Sequence, residues 1–235
     1  MRAISIVGPK KSGKTTLGLR LAETLQQEGM TVAVAKSTHH GFDGQDTDTG
    51  QYAKKKITVV GMGPDESFIR WPDKANLLSL LPLIKADILL VEGGKGIHWL
   101  PRILVLDAIP EEGIDWLSPS LAIAVYGRLT LPNIPNISSV TELASLIQKK
   151  AFILPGLDCG SCGRDDCAAL AQEIVSDTAS LKDCAALNSS VNIKINGHQL
   201  GMNTFSERIV ASTIKGLLQE LKGFAHGKAD IELDV

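Results

Sequence analysis

The residues best suited to chemistry fall into two sets. The first is Gly8-Pro9-Lys10-Lys11-Ser12-Gly13-Lys14-Thr15, which fits G-x-x-x-x-G-K-[ST] between an apolar run and a helical pattern. Its glycines let the chain curl so that backbone N–H groups converge on phosphates, and the following helix adds its positive end. Gly8, Lys11, Ser12, Gly13, Lys14, Thr15 and Thr16 are therefore the candidate nucleotide-binding residues. Lys14 is expected at the terminal phosphates and the Thr15 hydroxyl on Mg²⁺. Such a site also needs an acid at the end of a neighbouring strand. Ile88-Leu89-Leu90-Val91-Glu92 supplies Glu92, to hold Mg²⁺ or to polarise an attacking water. A third acid comes from the polar stretch Lys36 to Gly50, which carries His39, His40, Asp43, Asp46 and Asp48 and is too long for a minimal connection. Lys14, Glu92 and Asp48 are the candidate catalytic residues.

The second set is Cys159-x-x-Cys162-x-x-x-x-Cys167 with Cys184 sixteen or so residues later. Four thiolates suit a cubane [4Fe-4S] cluster or tetrahedral zinc. Zinc knuckles more often come as two separated Cys-x-x-Cys pairs, and this chain has one, so the cluster is the expectation. In a reducing compartment, metal ligation is also a better reading than two disulfides.

Both sets need elements to position them. Ala3 to Val7 reads as a strand, and Leu17, Leu21 and Leu25 mark a helix that Gly29 closes. Thr31 to Ala35 reads as a second strand buried on both faces, as in a parallel sheet. Further strands are expected at 57–61, 67–71, 88–91, 102–106 and 121–125, with helices near 73–84 and 139–150. Lys54-Lys55-Lys56 reads as a solvated helix end. The alternation implies an α/β fold of the P-loop NTPase type, a mainly parallel sheet with helices on both faces. The character changes at Leu154-Pro155-Gly156. We expect a nucleotide-binding domain over 1–152, a four-cysteine iron–sulfur segment over 153–187, and a small strand-helix-strand unit over 188–235. In that unit Val191, Ile193 and Ile195 alternate before an Asn196-Gly197 turn. Thr204 and Glu207 have capping-box spacing at the start of a helix bearing Phe205, Ile209, Ile214, Leu217, Leu218 and Leu221, and Ile231, Leu233 and Val235 alternate at the end.

The 235 residues allow one sizeable core plus an appendage. With 24 Lys and Arg against 26 Asp and Glu, the net charge of -2 offers no field for a nucleic acid. No apolar run approaches the roughly 20 residues that cross a bilayer, and Met1-Arg2-Ala3 leaves no room for a secretory signal, so the expected location is the cytoplasm.

Gly8 to Thr16, Lys36-Ser37-Thr38-His39-His40, Val91-Glu92-Gly93 and Leu100-Pro101-Arg102-Ile103, in that order, resemble the molybdopterin-guanine dinucleotide biosynthesis protein B family. The resemblance implies a GTP-binding, weakly GTP-hydrolysing protein, often a homodimer. Its role would be to assist the guanylyltransferase, or another pterin-cofactor enzyme, that attaches GMP to a molybdenum or tungsten pterin. By that analogy Lys14, Thr15 and Glu92 carry the phosphate and Mg²⁺ roles, and the His39-His40 loop belongs to the active region. The segment from Leu154 to Gly163, with Cys167 and Cys184, resembles small four-cysteine [4Fe-4S] domains of electron-transfer and corrinoid-linked proteins. No Asn-Lys-x-Asp motif is present, so the residues alone do not choose between GTP and ATP. Two other functions stay open: an iron–sulfur electron carrier gated by nucleotide, and an ATP-dependent metal-delivery factor.

Overall fold

β1 (Arg2–Val7) is buried along almost its whole length because it lies at the centre of a five-stranded parallel sheet. The computed structural model describes every residue except 39–46, 189, 190, 192, 196, 197, 201, 203, 226, 228, 230 and 232–235. β1 pairs on one side with β5 (Ile88–Glu92) and on the other with β6 (Arg102–Val105). β2 (Val32–Lys36) lies outside β5, and β7 (Ala122–Tyr126) lies outside β6, giving the order β2-β5-β1-β6-β7. In this register Ile6 and Lys36 both face Glu92 across the strands.

The period-two side chains of the sheet divide the core. Ile4, Ile6, Ile88, Leu90, Ile103 and Val105 meet α1 (Lys14–Gln27) and α4 (Val140–Lys150). Leu17, Leu21 and Leu25 of α1 recur every four residues, so all three fall on its sheet-facing side and are buried. Full burial of each contributes roughly 1.5–3 kcal/mol. Ser139 caps α4 by accepting from Glu142 N, and Lys149 and Lys150 sit in its last turn, where the helix dipole favours cations.

The opposite face is covered differently. The helix expected over 73–84 is a single turn, α3 (Leu77–Leu80), continued by a 3₁₀ turn at Leu81–Leu83. Pro82 lacks the N–H that an α-helix would need there. Ala3, Leu89, Val91 and Leu100 pack with Leu77, Leu81, Trp99 and Ile153 on this face, while Leu104, Leu106 and Leu117 form a neighbouring patch. α1 and α4 thus share one face, and short turns and loops close the other.

The strands expected at 57–61 and 67–71 exist as β3 (Val59–Met62) and β4 (Ser67–Arg70), but they pair antiparallel as a separate hairpin outside the parallel sheet. The reason is the connection: Gly63 N donates to Glu66 O at 2.8 Å, and so short a link can join only antiparallel strands. Phe68 lies over Gly61, where a β-carbon would come within 2.4 Å of the ring. Val60, Met62 and Ile69 remain exposed.

After α4, Phe152 and Leu154 lead into the cysteine segment, whose α5 (Cys167–Val175) is capped by Asp166 accepting from Ala169 N. α5 packs on the turn Pro119–Leu121 that feeds β7. β8 (Lys194–Ile195) and β9 (His198–Gln199) pair antiparallel, and α6 (Thr204–Gln219) follows. The Asn196-Gly197 turn, the Thr204 side chain and residues 232–235 of the expected last strand lie outside the described residues. Phe205, Ile209, Leu217 and Leu221 of the α6 region are exposed.

Candidate functional site

The phosphate loop runs from the end of β1 over the carboxyl end of the sheet. Gly13 caps α1 in the left-handed region with φ 90°, and Lys11 also has positive φ. Gly8 is required by crowding, since a β-carbon there would lie 2.5 Å from the Val105 carbonyl oxygen and 2.8 Å from Ser12 Oγ. Ser12 Oγ is buried without a hydrogen-bond partner, a polar atom left for a ligand to satisfy. Lys11, Gly13, Thr15 and Thr16 are exposed along the loop and first helical turn.

Behind the loop stands Glu92. The Thr15 hydroxyl donates to Glu92 Oε1 at 2.7 Å, and Lys36 Nζ lies 3.2 Å from the same oxygen. Lys14 Nζ folds back to donate to the Pro9 carbonyl. Burial lowers the Lys14 pKa, Glu92 raises it and Lys36 lowers it further. Among the described residues two ammonium groups therefore lie near one carboxylate, an imbalance that suits an anion. The strand ends are pinned by the backbone: Ser37 N donates to Glu92 O and Gly93 N to Ile6 O, both at 2.9 Å. Gly93 has φ 82°, and its α-carbon is close enough to β2 that a β-carbon would sit 3.0 Å from Ser37 O.

The structure brings together Gly8, Ser12, Gly13, Lys14, Thr15 and Glu92. Asp48 is exposed at the start of α2 (Asp48–Lys54), capped by Thr47. His39, His40, Asp43 and Asp46 lie outside the described residues. Lys36 is the residue that sequence reasoning left without a role. Its signal was a lysine closing an apolar strand that must run beside the Glu92 strand.

All four cysteines line one pocket, walled by Pro155, Leu157, Leu170, Ala185 and Ala186. Cys184 is buried and the other three are half-buried. Gly160 and Gly163 have positive φ, as does Asp158, whose Oδ1 accepts from Cys167 N at 2.8 Å. Burial pushes the Cys167 and Cys184 thiols up, so bound metal charge would be needed to hold them as thiolates. Among the described residues no three His, Cys, Asp or Glu side chains are gathered to hold a metal ion. The cysteines instead ring a shared apolar pocket, a donor set and lining that fit an iron–sulfur cluster.

This pocket sits at the amino ends of β6 and β7, opposite the phosphate loop. Leu121, which precedes β7, packs with Phe152, Leu154, Leu170 and Cys184. Leu154 N donates to Trp99 O, and Trp99 lies so close to Gly156 that a β-carbon there would be 2.9 Å from the indole. Nearby, the fully buried Arg102 donates to Leu117 O at 2.6 Å and Ile97 O at 2.7 Å, clasping two loops. Burial brings its pKa down to about 10, which leaves it charged at neutral pH.

A phosphate loop after the central strand of a parallel sheet, with a hydroxyl and a carboxylate joined across the next strand end, defines a P-loop nucleotide-binding protein. Residues 3–124 match the family model described as "Molybdopterin guanine dinucleotide synthesis protein B", MobB. That match spans more than half of the chain, which belongs to this family. Residues 154–186 match a second model, described as "Putative Fe-S cluster". Among solved structures, Bacillus subtilis MobB is similar at 21% identity and a TM-score of 0.51, over 63% of this chain and 97% of that one. A MobB homolog from Bacillus stearothermophilus is similar at 21% identity and a TM-score of 0.47, over the same shares of the two chains. At this identity the first likeness speaks for the fold alone. No curated protein matches the chain. Among the described residues no helix is long and apolar enough to cross a membrane.

Proposed function

We propose that this protein is a Mg²⁺-dependent GTP-binding protein and weak GTPase. It would assist the synthesis of a molybdenum or tungsten pterin guanine dinucleotide while carrying a [4Fe-4S] cluster on Cys159, Cys162, Cys167 and Cys184. The observation that carries the nucleotide part is the 2.7 Å contact between Thr15 Oγ1 and Glu92 Oε1 beside the Lys14 loop, in a chain of the MobB family. Mg²⁺, when bound, supplies charge at the outer phosphates. The protein's own part is to cradle the inner phosphates on the loop amides, meet the outer ones with Lys14, and offer Thr15 and Glu92 oxygens to the metal. The family name supports guanine over adenine. The four-cysteine pocket and the second family match support the cluster.

In this reading the partner is the guanylyltransferase, or another pterin-cofactor enzyme, in the cytoplasm. The protein acts there as a homodimer, for which the exposed Val60, Met62 and Ile69 of the β3–β4 hairpin offer apolar surface. Calorimetric titration of anaerobically purified protein with GTP and with ATP, each with Mg²⁺, tests the nucleotide. GTP is expected to bind at least tenfold more tightly, and equal or reversed preference overturns the guanine assignment.

A further inference from the structure

Glu92 Oε1 is shared by two donors of different kinds. The Thr15 hydroxyl approaches it at 2.7 Å from α1, and the Lys36 ammonium at 3.2 Å from the end of β2. Neither approach is incidental, because the register sets Lys36 opposite Glu92 and the bond from Ser37 N to Glu92 O locks the two strand ends together. The Lys36 side chain is nevertheless 50% exposed while that of Glu92 is 14% exposed, so the lysine has room to turn and the acid does not. Lys14 by contrast is tethered to its own loop through Pro9 O.

Thr15 and Glu92 are the residues that would hold Mg²⁺, and with a dication on Glu92 Oε1 the Lys36 ammonium would be repelled from the oxygen it now holds. A released Lys36 remains at the carboxyl ends of the strands. There the loop amides would enclose the inner phosphates and Lys14 would reach the β and γ phosphates from the loop side, leaving the other oxygens of the terminal phosphate open to a second cation at the strand ends. We propose that Lys36 is a second phosphate-binding lysine, held on Glu92 in the free protein and transferred to the terminal phosphate of a Mg²⁺-bound nucleoside triphosphate. The assignment rests on the nucleotide-binding reading above and adds to it the residue that tells triphosphate from diphosphate.

The test is calorimetry on the full chain with GTPγS and GDP, each with Mg²⁺, and with ATPγS and ADP alongside. Lys36→Met removes the charge while keeping length. It is expected to weaken triphosphate binding roughly tenfold to a hundredfold, the loss of one charge-assisted hydrogen bond, and to change diphosphate binding by less than about twofold. Lys36→Arg should restore most of the preference. Equal losses for both nucleotides, or no loss for either, would overturn the role of Lys36 while leaving the nucleotide site intact. A wild-type protein that binds neither triphosphate would overturn both. Should Lys36→Met melt early, Lys36→Gln and Lys36→Arg carry the same comparison of tri- and diphosphate affinity.

Discussion

At the carboxyl end of the sheet, Lys14 and Lys36 lie near one carboxylate among the described residues, that of Glu92, around an exposed loop, and Ser12 keeps a buried hydroxyl unpaired. At the amino ends of β6 and β7, four thiols face a pocket walled by leucine, alanine and proline. The first region is built for a charged ligand that comes and goes, because its excess cations are tolerable only near water. The second suits a group that stays, since its four donors line one apolar pocket and Cys184 is buried. A short strand, β6, spans the two: its Val105 carbonyl crowds Gly8, and its Arg102 clasps the loops beside the cysteine module.

The comparison can be broken by variants at either end. Lys14→Ala should weaken triphosphate binding by roughly a hundredfold or more, as charge-assisted bonds to two phosphates go together, and calorimetry reads the loss. If affinity is unchanged, the carboxyl end is not a phosphate site. Cys162→Ser should bleach the brown colour expected of about four irons and four sulfides per chain while leaving GTP affinity within about twofold. A colourless wild type with one zinc, even after anaerobic reconstitution, would remove the cluster from the comparison. Glu92→Gln keeps shape but removes charge, so turnover should fall by roughly tenfold to a hundredfold and binding by less. Intact turnover would make Glu92 a structural acid.

Smaller effects sharpen the contrast. Trp99→Ala should cost about 2 kcal/mol in urea unfolding, less than a fully buried aromatic because Trp99 is only partly buried, and should loosen the cysteine module before the parallel sheet. Gly163→Ala should cost only about 1 kcal/mol, the left-handed backbone penalty, because open space surrounds the position. An effect of that size at Gly8 would contradict the crowding by Val105 O, where backbone must move.

Much of the nucleotide end was legible because its signals are local. The loop motif, the Leu17–Leu21–Leu25 period and the apolar run ending at Glu92 each fix an element and its place in a parallel sheet. Lys36 was not legible, because a lysine at a strand end reads as solvated until register sets it opposite an acid. The hairpin strands were legible as strands, but their direction depends on the four-residue link and not on their apolar content. Pro82 could have shortened the expected helix, since it stands inside the apolar stretch. Arg102 stayed hidden because its partners are carbonyls of loops brought near only by the fold. For the cysteines the ligand set was plain, while their footing on Leu121 and Trp99 is a long-range result.

β5 lies between β1 and β2, so neither of the first two strands has a neighbour in the sheet until Ile88–Glu92 has been made. On the ribosome the two strands must therefore wait while roughly fifty more residues are added, about 3–10 s at ordinary elongation rates. During that interval Ala3 to Val7 presents an apolar, unpaired strand, a ready substrate for a chaperone and a ready edge for a second nascent chain. The same central strand that shapes the finished site makes the N-terminal third the most vulnerable part of the chain at birth.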